Sequence, residues 1–330
     1  MNQEYAKRYE EEINRYKNVL NIHELPDIFY YWSNKYLAPI YRSYGFQNIR
    51  SIYVHFMREA CRMQPGKILR FVSIGAGNCQ LEVLLAHKLL TTGKKNFVLE
   101  CLDINPDMLE RGAQKAAEKG VEDFMEFRAT DLNMWEVQNQ YDIILAIQCL
   151  HHFVELENIF DKIYKYLSPT GYFITHDMIG RNGHQRWPET LDVVNHFWNM
   201  LPDKYKYNHQ LHRLEKEFMD WDCSVEGFEG IRSQDILPLL VNKFHFHFFL
   251  HWGGAIDVFI DRSFGPNFDP NSAWDCQFID SVHALDFDKT LAGIVKPTQM
   301  IAAMSKSDLG NPKQYWYGLS PEFCVRHPVS

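Results

Sequence analysis

The chain has 330 residues, 46% hydrophobic and 23% charged, enough to bury a sizeable core as one large domain or a core with additions. Its net charge of −8 provides no field to draw it to DNA, RNA or an anionic membrane, so neither is an expected partner. The seven cysteines are scattered and never form a CxxC pair, which argues for free thiols in a reducing cytoplasm and against a disulfide frame or a zinc knuckle.

In chain order, the opening stretch "MNQEYAKRYEEEINRYKN" is charged and polar and does not read as a secretion signal. Residues 1–66 read as helices. "YAKRYEEEINRYKNVL" carries Tyr and Leu at helical spacing, and "NIRSIYVHFMREACRM" is a second amphipathic run. Between them lies the aromatic-rich "HELPDIFYYWSNKYLAPIYRSYGF". From residue 67 to 180, short apolar runs alternate with amphipathic segments, the pattern of a doubly wound, mostly parallel α/β sheet. The expected strands are "ILRFVSIGA", "FVLECLDI", "MEFRAT", "YDIILAIQ" and "GYFITHDMI", with helices beginning near Asn78, Pro106 and Val154. Residues 181–310 read as a helical insertion plus two last strands, "FHFHFFLHWGG" and "TQMIAAMSK", suited to an antiparallel edge. The apolar stretch from Phe244 to Ile260 is interrupted by His245, His247, His251 and Asp257 and cannot span a bilayer. The tail over 311–330 carries no assignable pattern, and no signal fixes an oligomeric state.

The first strand ends in Gly75-Ala76-Gly77, a turn of the kind that holds nucleotide cofactors. A dinucleotide turn needs a third glycine, and Gln80 stands there, where its bulk would push the helix off a pyrophosphate. That counts against a nicotinamide-dependent oxidoreductase. A non-catalytic scaffold with the same fold is the other rival. The later strand ends bear on both. Asp103 closes the second strand, where a carboxylate can accept both hydroxyls of a ribose. Asp131 closes the third and, with the Leu132 N–H, can read an adenine edge. "AIQCLHHF" brings Gln148, His151 and His152 to the same carboxyl edge, where ligands of open α/β sheets bind.

The order of glycine turn, acid after the second strand, "TDL" and "LHHF" resembles the class I S-adenosylmethionine-dependent methyltransferases over roughly residues 67–180. "TQMIAAM" is similar to that family's last strand. "YYWSNKYLAPIYRSYGF", "GRNGHQRWPE" and "GFEGIRSQDILPLL" are also similar to uncharacterised bacterial members of the superfamily, which points to a sugar or secondary metabolite as acceptor. The resemblance implies a Rossmann-like core that holds S-adenosylmethionine through Gly75, Ala76, Gly77, Asp103, Ile104, Asp131, Leu132 and Gln148. It also implies a helical lid over 1–66, with Tyr36 at the cofactor, and an acceptor side that includes Trp32, Arg181, His184, Arg186 and Glu226. The sequence departs from the family pattern twice: Ser73 stands where an acid is common, and Cys79 where a third glycine is common.

A sulfonium methyl is already activated, so a protein mainly aligns donor and acceptor and excludes water. A hydroxyl or carbon-acid acceptor also needs a base, for which histidine suits near-neutral pH. His152 is the first candidate and His151 the second, with Asp177 beside them in the loop after the fifth strand. The alternative is that one imidazole packs while the other caps the next helix. "FMDWDCSVEGFEGIRSQD" gathers Asp222, Glu226 and Glu229 and reads more readily as a connection with capping acids. His245, His247 and His251 share a strand face, but no carboxylate or cysteine at ligand spacing accompanies them, so no metal is expected. The expected function is S-adenosylmethionine-dependent methylation of a small molecule, on O or C, in the cytoplasm.

Overall fold

The computed structural model describes residues 3–16, 24–225 and 227–327. Five strands fall where the alternating apolar runs place them: β1 (Leu69–Ile74), β2 (Phe97–Asp103), β3 (Met125–Ala129), β4 (Tyr141–Ile147) and β5 (Leu167–Met178). Two short strands, β6 (Tyr207–Asn208) and β7 (Arg213–Leu214), pair by themselves. The main sheet is completed by β8 (His245–Trp252), β9 (Gln299–Ser305) and β10 (Gln314–Tyr315), in the order β10-β8-β9-β5-β4-β1-β2-β3. Every pair is parallel except those of β9, which runs antiparallel to both β5 and β8. The antiparallel strand expected at the edge thus lies between β5 and β8. The edge itself is β10, drawn from the tail that gave no sequence signal. Because β9 reverses direction between them, β8 and β5 run the same way and end at the same edge.

Helices cover both faces. Before the sheet come α1 (Gln3–Tyr16), α2 (Asp27–Trp32), a π-helical turn over Ser33–Leu37, α3 (Ala38–Ser43) and α4 (Ile49–Met63). Within it come α5 (Gln80–Thr91), α6 (Pro106–Lys119) and α7 (Leu156–Tyr166). The boundaries of α6 follow from chemistry: Asn105 caps its first turn, Pro106 takes the first helical position, and Gly120 ends it with φ 64°. After β5 come α8 (Pro188–Trp198), α9 (Ser233–Lys243), α10 (Asp257–Ile260) and α11 (Ala273–Leu291).

Alternate strand residues supply two cores. Phe71, Leu99, Ile143 and Ile174 pack under α4 and α5, while Val72, Ile144 and Phe173 pack under α7 and α9. Each of these wholly buried side chains contributes roughly 1.5–3 kcal/mol. A third core lies off the sheet, where Trp32 and Ile28 of α2 meet Trp198 of α8, Phe259 of α10 and Phe278 of α11. That core joins the aromatic N-terminal segment to the insertion after β5.

Candidate active site at the carboxyl edge

The glycine turn depends on close approach. Gly75 and Gly77 have φ of 65° and 53°. A Cβ on Gly75 would lie 2.5 Å from that of Cys149, just past β4. Ala76 N donates to Leu102 O at 2.9 Å, tying the turn to β2. Cys79 is left-handed as well, with φ 52°, and wholly buried. It fits because α6 offers a glycine there, where a Cβ on Gly112 would lie 2.8 Å from Cys79 Cβ. Gln80 is exposed, so the inner position that the sequence argument gave it belongs to Cys79. The second departure is offset in a similar way. Ser73 Oγ donates to Glu82 Oε1 at 2.7 Å, so α5 brings a buried carboxyl to the place where the strand lacks one. Burial pushes Glu82 up to about 7.

Asp103 ends β2 beside this turn and is 8% exposed. It accepts from Gly77 N at 2.7 Å and Asn105 N at 2.8 Å, and burial raises its pKa. Ile104 follows it, half-buried. Asp131 caps the turn Leu132–Met134 and accepts from Asn133 N at 3.0 Å. Both its carboxylate oxygens also accept from Tyr5 OH, at 3.0 and 2.8 Å. Tyr5 belongs to α1, which lies across the edge. Arg8 donates to the carbonyls of Ser224 and Gly227 at 3.1 and 2.7 Å, and Glu12 Oε1 lies 2.8 Å from His152 Nδ1. Over Asp131 and the histidine pair the covering helix is therefore α1.

Gln148 leaves β4 with φ 54° and its side chain points at Gln299, 3.5 Å away. The next residues turn around Asp177, which is fully buried at the end of β5. Its carboxylate accepts from Cys149 N, Leu150 N and Met178 N at 2.9, 2.7 and 2.8 Å, and from His151 Nδ1 at 2.5 Å. Burial opposes its charge, but His151 and the two loop N–H groups hold it below the usual carboxylate range. Expected as catalytic, Asp177 holds the loop and aims His151. Both imidazoles turn their Nε2 atoms toward Glu229, His151 at 3.4 Å and His152 at 3.9 Å. His184 Nε2 lies 2.8 Å from the same carboxylate. Burial would lower His151, yet Asp177 and Glu229 outweigh it and push the imidazole up to about 10. Burial likewise opposes the charge of Glu229, and the surrounding histidines hold it far below its ordinary value.

A methyltransferase-domain family matches residues 66–221, which take in the glycine turn, Asp103, Asp131 and the histidine pair. This stretch is a methyltransferase domain. A curated relative, sterol 24-C-methyltransferase from Pneumocystis carinii, is 22% identical over 198 residues, covering 58% of this chain and 48% of that protein. The chain thus spans about half the length of the curated relative it matches. Geranyl diphosphate C-methyltransferase from Streptomyces coelicolor, solved with S-adenosyl-L-homocysteine, aligns over 92% of this chain and 99% of its own, with 13% identity and TM-score 0.47. A SAM-dependent methyltransferase from Geobacter sulfurreducens aligns over 77% and 90%, with 10% identity and TM-score 0.41.

The residues expected at the acceptor separate into two groups, one inside the methyltransferase domain and one outside it. His184, with φ 53°, folds back onto the histidine pair, its ring 5.4 Å from that of His151. Arg186 N donates to Asp220 at 3.0 Å, and Arg181 Nη1 donates to Arg186 O at 3.2 Å, so the two arginines brace this loop. Glu226 lies outside the described residues. Trp32 is buried and donates from Nε1 to His283 Nδ1 at 3.1 Å. Tyr36, expected at the cofactor, instead donates to Asp280 at 2.7 Å with its ring 3.7 Å from that of His283. Its neighbours on α11 claim the phenol. Both side chains line a cavity with His251, Trp252, His283 and Asp286. That cavity opens beside the end of β8, at the same sheet edge as β5. His251 is 1% exposed there, and neither ring nitrogen has a hydrogen-bond partner among the described residues. His245 and His247 belong elsewhere, with Asp308 beside them, so that pair does have a carboxylate neighbour that spacing did not reveal. Tyr5, Glu12 and Glu82 are the site residues that sequence reasoning missed. No helix among the described residues is long and apolar enough to cross a membrane.

Proposed function

We propose that this chain transfers a methyl group from S-adenosylmethionine to oxygen or carbon of a small-molecule acceptor, with a sugar or secondary metabolite as the acceptor class. Asp103 carries the reading. It is a charged acceptor at the end of β2 with each oxygen anchored by a backbone N–H, one of them from the glycine turn itself. That arrangement suits the two hydroxyls of a ribose. Gly75, Ala76 and Gly77 leave room for the methionyl part, Gln148 borders it, and Ile104, Asp131 and Leu132 border the adenine. When bound, the cofactor supplies a methyl already activated on sulfur. The chain then has to orient the acceptor and, for a hydroxyl or carbon acid, take its proton at His152, since Asp177 and Glu229 keep His151 protonated. His152, the more open of the two, faces the acceptor. The loops holding His184 and Glu229 close the acceptor side, which suits a small molecule, and the curated relative's name agrees with carbon as the methylated atom.

Calorimetry tests this directly. The chain should bind S-adenosylhomocysteine and not NAD. Asp103→Ala should weaken that binding by ten- to a hundredfold, about 1.5–3 kcal/mol. Unchanged affinity in the variant would remove Asp103 from the cofactor, and NAD binding in its place would favour an oxidoreductase.

A further inference from the structure

We propose that His151, His152 and Glu229 form a binding site for one divalent transition-metal ion. The ligand atoms that these three residues offer lie within 4.8 Å of one another. His151 Nε2 lies 3.4 Å from Glu229 Oε1, and His152 Nε2 lies 3.9 Å from Glu229 Oε2. Metal–ligand bonds of about 2.1 Å at a tetrahedral angle put ligand atoms about 3.4 Å apart, so an ion between these atoms needs only small side-chain shifts. Two imidazoles and one carboxylate leave further coordination positions open. That donor set suits zinc, iron or cobalt and does not suit magnesium or calcium, which take oxygen ligands.

The groups behind the ligands fit the same purpose. In metal sites the second imidazole nitrogen is held by a carboxylate, which fixes the tautomer and the ring plane. Here His151 Nδ1 meets Asp177 at 2.5 Å and His152 Nδ1 meets Glu12 at 2.8 Å, and in both rings it is Nε2 that turns toward Glu229. His184 Nε2, 2.8 Å from Glu229 Oε1, positions the carboxylate. Backbone contacts join the contributing loops: Ile231 N donates to His151 O at 3.1 Å and Gly183 N to Gly230 O at 2.9 Å. A Cβ on Gly230 would lie 3.1 Å from His184 Cε1, and one on Gly183 only 1.9 Å from Asp222 Oδ1. The glycines therefore let these loops approach as closely as the cluster requires. The use of the ion rests on the methyl-transfer reading: at its open positions it would bind an acceptor oxygen and lower that oxygen's pKa, and, because both nitrogens of each imidazole are then engaged, the ion takes over from the histidines the task of releasing the acceptor's proton.

The test uses the full chain stripped with a chelator and then titrated with Co²⁺, followed by its visible absorption, and with Zn²⁺ by calorimetry. One equivalent should bind, with Mg²⁺ at millimolar concentration failing to compete. Glu229→Gln and His152→Ala should abolish the cobalt spectrum, and Glu12→Gln should weaken the metal by about ten- to a hundredfold. His245→Ala, in the separate cluster with His247 and Asp308, should leave it unchanged. S-adenosylhomocysteine affinity, measured on every variant, reports that each is folded. Wild type that binds the nucleotide but neither metal overturns the metal site, as does binding retained in Glu229→Gln or lost in His245→Ala. In those cases Glu229 is only the ionic partner of three imidazoles. Wild type that fails to bind the nucleotide overturns the methyl-transfer reading, whatever the metal does.

Discussion

On one side of the sheet edge, Gly75, Gly77 and Asp103 come from the ends of neighbouring strands β1 and β2 and meet through backbone hydrogen bonds. On the other side, His152, Glu229, His184 and Glu12 come from four separate segments and meet through side chains, with His184 and Glu229 45 positions apart in the chain. The first arrangement is fixed once the strands are in register. The second exists only when α1 and three loops have docked. The donor half should therefore tolerate loss of its polar contacts without losing shape, while the acceptor half should respond to single side chains through function.

The largest expected effect lies in the donor half and concerns stability. Glu82 ionises near 4.5 in the unfolded chain but is pushed up to about 7 in the fold. Below pH 4.5 it is protonated in both states and has no effect. As pH rises from about 4.5 to 7 the unfolded state gains a charge that the folded state resists, so the fold is penalised, fully so above pH 7. Glu82→Gln should remove about 3 kcal/mol of that penalty at neutral pH and nothing at pH 4. Urea unfolding at both values checks it, and equal gains at the two would mean that ionisation is not the cause.

Next in size is a change confined to the acceptor half. His152→Ala should lower turnover roughly a hundredfold or more while S-adenosylhomocysteine affinity stays within about twofold. Full activity would point to an amine acceptor that needs no proton removed. A large loss of nucleotide affinity would mean that the two halves are not separate. The smallest effect probes where they touch. Tyr5→Phe removes the hydroxyl that occupies Asp131, a hydrogen bond worth about 0.5–1.5 kcal/mol. Nucleotide affinity should rise by about two- to tenfold, and amides of residues 3–16 should exchange faster with deuterium. Reduced affinity would instead make Tyr5 part of the cofactor site.

The same division explains what could be read from the sequence. The five parallel strands, the turn at Gly75 and the placement of Asp103 depend on runs of a few residues and on strand-end geometry, which a sequence displays directly. Tyr5 on Asp131 is a pairing across 126 residues that no local pattern encodes. The resemblance places the aromatic segment around Tyr36 in a lid over the cofactor, and nothing near it in the chain shows what its phenols bond to. Asp280, at a distant point in the chain, accepts from both Tyr31 and Tyr36 and draws the segment onto α11. Glu229 sat in a segment that read as a connection. Its three imidazole neighbours become visible only when the loops after β4 and β5 are brought together.

The contact between Cys79 and Gly112 bears on how this turn can change over evolutionary time. A side chain at 79 is possible because position 112 has none, and a Cβ at 112 would come within 2.8 Å of it. A relative with glycine at the position of Cys79 would be free to carry alanine or serine at that of Gly112, whereas one with a bulkier residue at 79 would not. The two positions should therefore covary across homologues, and a chimera that exchanges α6 without the turn should lose stability that exchanging both together restores.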